Sequence, residues 1–115
     1  MKLYGIPNCN TVKKAQDFLK RNEINFEFHD FKKMGVTIEL LNEWFEVFGW
    51  ENVLNKKGLT FKQLSAEEKS KIQDATAARS YLLVKNSAIK RPILEVDGKA
   101  CSLGFDENTY IELFK

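Results

Sequence analysis

The stretch Tyr4-Gly5-Ile6-Pro7-Asn8-Cys9-Asn10-Thr11 decides how the chain is read. Before it, Leu3-Tyr4-Gly5-Ile6 reads as the end of a short buried strand over Lys2 to Ile6, and Pro7-Asn8 breaks that strand. After it, Val12, Ala15, Phe18 and Leu19 recur on one helical face, so a helix is expected from about Thr11 to Asn22, with Asn10 or Thr11 as its cap. Cys9 thus falls where a strand hands over to a helix N-terminus. Backbone N–H groups without helical partners and the positive end of the helix dipole meet there, and both favour an anion. A thiol so placed is expected to be partly ionised near neutral pH, and the thiolate is the reactive form. Lys13 and Lys14 follow in the first turn. Cations there oppose the dipole, and they make better sense facing a thiolate or an anionic ligand. The plainer alternative is a small buried cysteine ending a strand, with two solvated lysines beyond it.

Outward from this stretch, Ile24, Phe26 and Phe28 alternate with Asn25, Glu27 and His29, the period of a strand with one buried face. Strand, helix and strand form a β-α-β unit, whose right-handed crossover makes the strands parallel. No glycine-rich phosphate loop lies between Ile6 and Thr11, which argues against a nucleotide site. From Lys32 to about Ser87 the pattern turns helical. Thr37 is a fair cap, and Leu41, Trp44, Phe45 and Phe48 recur at helical spacing, with Leu40 and Val47 widening the face and Gly49 stopping the helix. This aromatic stripe is read as core rather than as a ligand face. Trp50 to Leu54 adds a short turn, and Asn55-Lys56-Lys57-Gly58 is a loop. Ser65-Ala66-Glu67-Glu68 fits a capping box. A last helix of this region, about Ala75 to Lys85, carries Ala78, Tyr81, Leu82 and Val84. Then Arg91-Pro92 opens the strand Ile93-Leu94-Glu95-Val96, Asp97-Gly98 is a two-residue hairpin turn, and Lys99 to Leu103 returns. Asp106 caps a short helix that runs to about Phe114. The order is β-α-β, then helices, then β-β-α. The fold class is therefore α/β with a small mixed sheet in a single domain over 1–115, with 1–31 and 88–115 as the sheet core and about 32–87 as a helical insertion.

The bulk numbers fit this reading. The 115 residues suit one core, and 43% hydrophobic with 30% charged residues is an ordinary globular balance. Eighteen basic against 16 acidic residues leave a formal net charge of +2 with no long basic run, so neither nucleic acid nor a membrane surface is expected as a direct partner. There is no stretch of ~20 apolar residues and no leader pattern, and a cytoplasmic protein is expected. The two cysteines, Cys9 and Cys101, make no disulfide framework and are expected to be free in a reducing compartment. One histidine and two cysteines do not make a structural zinc site, so no metal is expected. Ala100 and Leu103 beside Cys101 point to a buried structural thiol, and His29 beside Asp30 reads as a hydrogen-bonded structural histidine.

The β-α-β, β-β-α order, with a Cys after the first strand and a Pro opening the third, resembles the thioredoxin-like fold. Three motifs narrow the likeness: Tyr4 to Ala15, then Gly49-Trp50-Glu51, then Ile89-Lys90-Arg91-Pro92-Ile93-Leu94. Together they resemble the arsenate reductase (ArsC)/Spx family, most closely its YffB-like branch of small thiol reductases. The resemblance covers nearly the whole chain. It implies a nucleophilic Cys9, an Arg91 close to that sulfur and a cis bond between Arg91 and Pro92. Arg91 would hold an oxyanion or a glutathione carboxylate through its fork of donors. The activity implied is a monothiol reductase acting on disulfide or oxyanion substrates, with no bound cofactor. With no second cysteine in the motif, the resolving thiol would come from outside, most simply from glutathione. Cys9 and Arg91 would be catalytic. Asn8, Asn10 and Thr11 would hydrogen-bond the bound sulfur adduct, Lys13 or Lys14 would attract carboxylates, and Pro92 would complete the substrate site. A monomer is expected.

Two departures bear on the activity. Arsenate reductases of this family use three arginines around the thiol. Here only Arg91 matches, and Asn55 and Leu103 stand at the other two positions, so most of the clamp for a doubly charged oxyanion is missing. Spx regulators carry Cys-x-x-Cys in the first motif, where this chain has Cys9-Asn10-Thr11-Val12 and therefore no internal switch. The alternative to an enzyme is an Spx-like module that binds RNA polymerase or another protein partner without turnover.

Overall fold

A computed structural model describes all residues, 1–115. The order of elements is β1 (Lys2–Gly5), α1 (Asn10–Arg21), β2 (Glu27–Asp30), α2 (Phe31–Met34), α3 (Ile38–Phe48), α4 (Trp50–Val53), α5 (Leu59–Lys62), α6 (Ala66–Ser70), α7 (Ala75–Val84), β3 (Ile93–Val96), β4 (Lys99–Leu103) and α8 (Glu107–Leu113). The four strands form one mixed sheet in the order β2-β1-β3-β4. β1 and β2 are parallel, with Tyr4 opposite His29, as a β-α-β crossover requires. β3 is antiparallel to β1, with Tyr4 opposite Ile93. The β3–β4 hairpin turns at Asp97-Gly98, where φ is 53° and 79°. Those two left-handed residues give the turn whose twist matches the strands it joins. This is the α/β, thioredoxin-like arrangement expected from the order of elements.

Two compact units are present. One comprises Met1–Asp30 with Arg91–Lys115, and the other Phe31–Lys90. In the sheet unit, Leu3, Ala15, Phe18, Leu19, Leu94 and Tyr110 are fully or almost fully buried as one cluster, with Ile24, Phe26, Phe28, Phe105 and Phe114 packed against it. The apolar stripe of α1 supplies three of the six. Phe18 and Tyr110 meet edge to face with centroids 5.5 Å apart, a favoured aromatic geometry. In the helical unit, Leu41, Trp44, Val53, Leu54, Phe61, Ala78, Leu82, Ala88 and Ile89 are buried. Thr37 caps α3 by accepting the Leu40 N–H at 3.2 Å. Ser65 and Glu68 form the full capping box of α6. Asp74 caps α7 by accepting the Ala77 N–H at 2.8 Å.

Several expectations need correction. The N-cap of α1 is Cys9 itself, not Asn10 or Thr11, and β1 stops at Gly5. β2 begins at Glu27 rather than Ile24, because its partner β1 offers only four residues to pair. Ile24 and Phe26 still turn inward, which is why they alternate as a strand does. The buried stripe of α3 is narrower than expected: Val47 is 51% exposed, and on α7 Val84 is 77% exposed. The single-turn helices α2 and α5, and a 3₁₀ turn over Asn86–Ala88, carry too few residues to show a helical period.

Candidate functional site

The site begins where β1 delivers the chain to α1. Cys9 is extended, with φ −143° and ψ 121°, and its carbonyl accepts the Lys13 N–H at 3.0 Å. An N-cap usually donates a side-chain oxygen to the first turn. The Cys9 side chain makes no such bond. The first N–H groups of α1 have no partner within the helix, and an anion is favoured at such an end. No acidic side chain lies in the first turn. Cys9 is half-buried, neither sealed in the core nor wholly exposed, while Asn8, Asn10, Lys13 and Lys14 are exposed and Thr11 is half-buried. Val12, at the position of the second cysteine in a Cys-x-x-Cys motif, is 1% exposed and belongs to the inner face of α1.

Strand order brings the second segment to the same place. β3 runs antiparallel to β1, with Ile93 opposite Tyr4. The residues just before β3, Arg91 and Pro92, therefore lie at the end of the sheet from which the Cys9 loop departs. The Arg91-Pro92 bond is cis. Pro92 is buried, and its carbonyl accepts the Gly104 N–H at 2.8 Å, which pins this segment to the chain leaving β4. Arg91 is half-buried.

The other singled-out residues fall elsewhere. Cys101 lies on β4 at the irregularity where Leu94 faces Ser102 and Glu95 faces Ala100, so it is the residue skipped by the register. It packs against the core cluster. Burial pushes its thiol above the ordinary value, and a hydrogen bond with the Val96 backbone opposes that only in part. It is held as a protonated, packed thiol, in contrast to the open setting of Cys9. The His29 ring packs against Tyr4 across the strands in a tilted contact with centroids 4.7 Å apart, and the Tyr4 hydroxyl donates to Glu95 Oε1 at 3.1 Å. Leu103 pairs with Ile93 across the hairpin. Asn55, in the helical unit, donates its backbone N–H to the Ala88 carbonyl at 2.8 Å. No group of three or more His, Cys, Asp or Glu side chains could hold a metal ion, and no helix is long and apolar enough to cross a membrane.

Sequence reasoning missed a groove of about 810 Å3 along the outer face of α1, lined by Thr11, Lys14, Asp17, Lys20 and Arg21 and closed by Phe105, Asp106 and Glu107. The signal was available in the spacing: residues 11, 14, 17 and 20 recur every three positions, so each neighbours the next in a ridge slanting across the helix surface. What sequence could not supply was the opposite wall, contributed from the far end of the chain.

Comparison with known proteins agrees with this geometry. The ArsC family model matches residues 4–113. A solved structure described as YFFB (PA3664) protein superposes with a TM-score of 0.90 at 38% identity, covering 96% of each chain. An arsenate reductase (ArsC) related protein from Brucella melitensis superposes with a TM-score of 0.77 at 41% identity, covering 99% of this chain and 93% of its own. The global transcriptional regulator Spx of Lactiplantibacillus plantarum is 24% identical over 110 residues, covering 92% of this chain and 80% of the regulator. With its sheet order, its cysteine at the first helix cap and the family match over nearly its whole length, the chain belongs to the ArsC family.

Proposed function

We propose that the protein is a glutathione-dependent monothiol reductase with Cys9 as its nucleophile. One observation carries the reading. Cys9 is the N-cap residue of α1 and its sulfur makes no cap hydrogen bond, so a half-buried thiol stands at the N-terminus of a helix that has lysines and no acid at its start. A thiolate is stabilised in such a setting and is the attacking species in disulfide exchange. In the proposed reaction the substrate is a mixed disulfide of glutathione. The Cys9 sulfur attacks the glutathione sulfur, a Cys9–glutathione disulfide forms, and the bond to the substrate sulfur breaks. The substrate leaves as a thiolate and takes a proton from water. A second glutathione thiolate attacks the glutathione sulfur of the adduct, releasing Cys9 and producing oxidised glutathione. The substrate sulfur is reduced and the sulfur of the second glutathione is oxidised, while the first glutathione sulfur stays in a disulfide throughout, so the electrons balance.

In this reading Asn8, Asn10 and Thr11 hydrogen-bond the adduct, Arg91 with Lys13 or Lys14 draws the glutathione carboxylates, and Pro92 bounds the site. Arsenate reduction is the weaker reading, because Arg91 stands without arginines at positions 55 and 103. The test is the mass of the protein after exposure to oxidised glutathione, with turnover of a glutathione mixed disulfide followed alongside. A single glutathione adduct on Cys9, with turnover lost in Cys9→Ser, is the expected result. No adduct and no turnover in the wild-type protein would sink it.

The likeness to Spx favours a second reading, a module that binds RNA polymerase or another protein partner and performs no turnover. It predicts that Cys9→Ser leaves partner binding intact while the wild-type protein shows no reductase activity.

A further inference from the structure

The groove along α1 starts at Thr11, two residues from the nucleophile, and runs the length of the helix. Six of its lining residues are charged, but three are already committed. Arg21 pairs with Glu107 at 3.5 Å. The Asp106 carboxylate accepts the Thr109 N–H at 3.0 Å and the Thr109 hydroxyl at 2.9 Å, capping α8. Lys14, Asp17 and Lys20 are exposed and pair with no side chain of the chain. What the groove offers a ligand is therefore an ordered row of plus, minus, plus, with the Thr11 hydroxyl at the Cys9 end and the half-buried Phe105 ring in the wall. A row this long does not suit one compact anion. Lys14 and Lys20 are separated by about 9 Å along the helix axis, at 1.5 Å per residue. Measured from Cys9 they stand at about 7.5 Å and 16 Å by the same rise. An extended peptide advances about 3.3 Å per residue, so these marks fall about two and five residues from a peptide cysteine whose leaving sulfur lies at the Cys9 end of the groove.

We infer that the groove holds an extended peptide strand, and that the reductase acts on peptide or protein cysteines flanked on one side by acidic residues about two and five positions away. This rests on the reductase reading of Cys9 and names the other half of the mixed disulfide. The peptide sulfur is the leaving group. Carboxylates on its flank meet Lys14 and Lys20, a basic side chain or a backbone amide faces Asp17, and an apolar side chain can lie against Phe105. The groove also gives Lys14 a purpose. A cation in the first turn of α1 opposes the helix dipole, and it is offset when a substrate carboxylate sits on it.

The experiment compares glutathione mixed disulfides of three short peptides, with acidic, neutral or basic residues at those two positions, and of hydroxyethyl thiol, which carries no peptide. The measure is kcat/KM for the full-length protein at low and moderate salt. The expected order is acidic over neutral over basic, with at least a tenfold span that shrinks as salt screens the charges. Lys20→Glu is expected to reverse the order, favouring the basic peptide. A Cys9 that turns over hydroxyethyl and peptide disulfides with no dependence on flanking charge, in both proteins, overturns the groove assignment and leaves the reductase reading standing. A Cys9 inert towards all four substrates overturns both.

Discussion

At the scale of single residues, the reactive position depends on two neighbours that do no chemistry. Val12 is the first buried residue of α1, and Gly5 is the last residue of β1 beneath it. A Cβ built on Gly5 would stand 2.8 Å and 3.2 Å from the two Cγ atoms of Val12. Val12 is stiff at χ1 and cannot turn aside. Gly5→Ala is therefore expected to cost about 1–3 kcal/mol as the helix end shifts outward, and to slow modification of Cys9 because that same helix end presents the sulfur. A urea unfolding midpoint and the rate of iodoacetamide labelling check the two halves separately. Unchanged stability would show that strand and helix can part without cost. Cys9 and Gly5 are both legible in the sequence as members of a strand–turn–helix handover. That Cys9 itself is the cap was not, because a thiol is a poor capping group and Asn10 and Thr11 are better ones. The tertiary position of β1 overrode that local preference by fixing where the first helical turn could begin.

At the scale of elements, four of the eight α-helices start at side chains that accept first-turn N–H groups, and these are local signals. Thr37, Ser65 and Asp106 were all marked in advance, and each accepts an N–H three residues on. Asp74 does the same for α7 through the Ala77 N–H. Asp74→Ala is expected to cost about 1 kcal/mol, read as a lowered thermal midpoint, and Asp74→Asn much less. Equal losses in the two variants would mean that charge rather than capping matters there. Strand ends were less legible. β2 was read three residues too early at its start because Ile24 and Phe26 alternate correctly, and alternation reports burial rather than pairing. The extent of β2 is set by the four residues of β1 available as partners. Likewise, the helical periods of α3 and α7 include Val47 and Val84, yet both are exposed. A period says which face could be buried, and the packing decides how wide that face becomes.

At the scale of the whole molecule, the sheet unit places two ionisable groups in or against its core. Burial raises the Cys101 thiol above its ordinary 9.0 and the Tyr110 phenol well above its ordinary 10.0, with the nearby Cys101 charge adding to the second shift. The unfolded chain releases both protons at the ordinary values, while the native chain retains them. Above those values the native state binds more protons, so stability is fully present below about pH 9 and is lost as pH rises further. Unfolding midpoints are expected to fall between about pH 9 and 11, with Cys101→Ala flattening the early part of the fall and Tyr110→Phe the later part. The Tyr110 hydroxyl is buried with no hydrogen-bond partner. Tyr110→Phe should therefore also stabilise the protein at neutral pH, by about 1 kcal/mol. A midpoint that stays level up to pH 11, or a Phe variant weaker at neutral pH, would contradict this account.

The chain by itself determined its longer elements, the parallel sense of β1 and β2, the antiparallel hairpin at Asp97-Gly98 and the cysteine at the mouth of α1. Each of these is written in spacing, turn chemistry or capping residues within a few positions of where it acts. Only the tertiary structure decided which distant segments share a site. It brought Arg91-Pro92 to the end of the sheet where the Cys9 loop departs, and it set Phe105, Asp106 and Glu107 across from α1. The physical reason is that strand order and helix packing minimise exposed apolar surface over the whole chain at once, and no local pattern carries that sum.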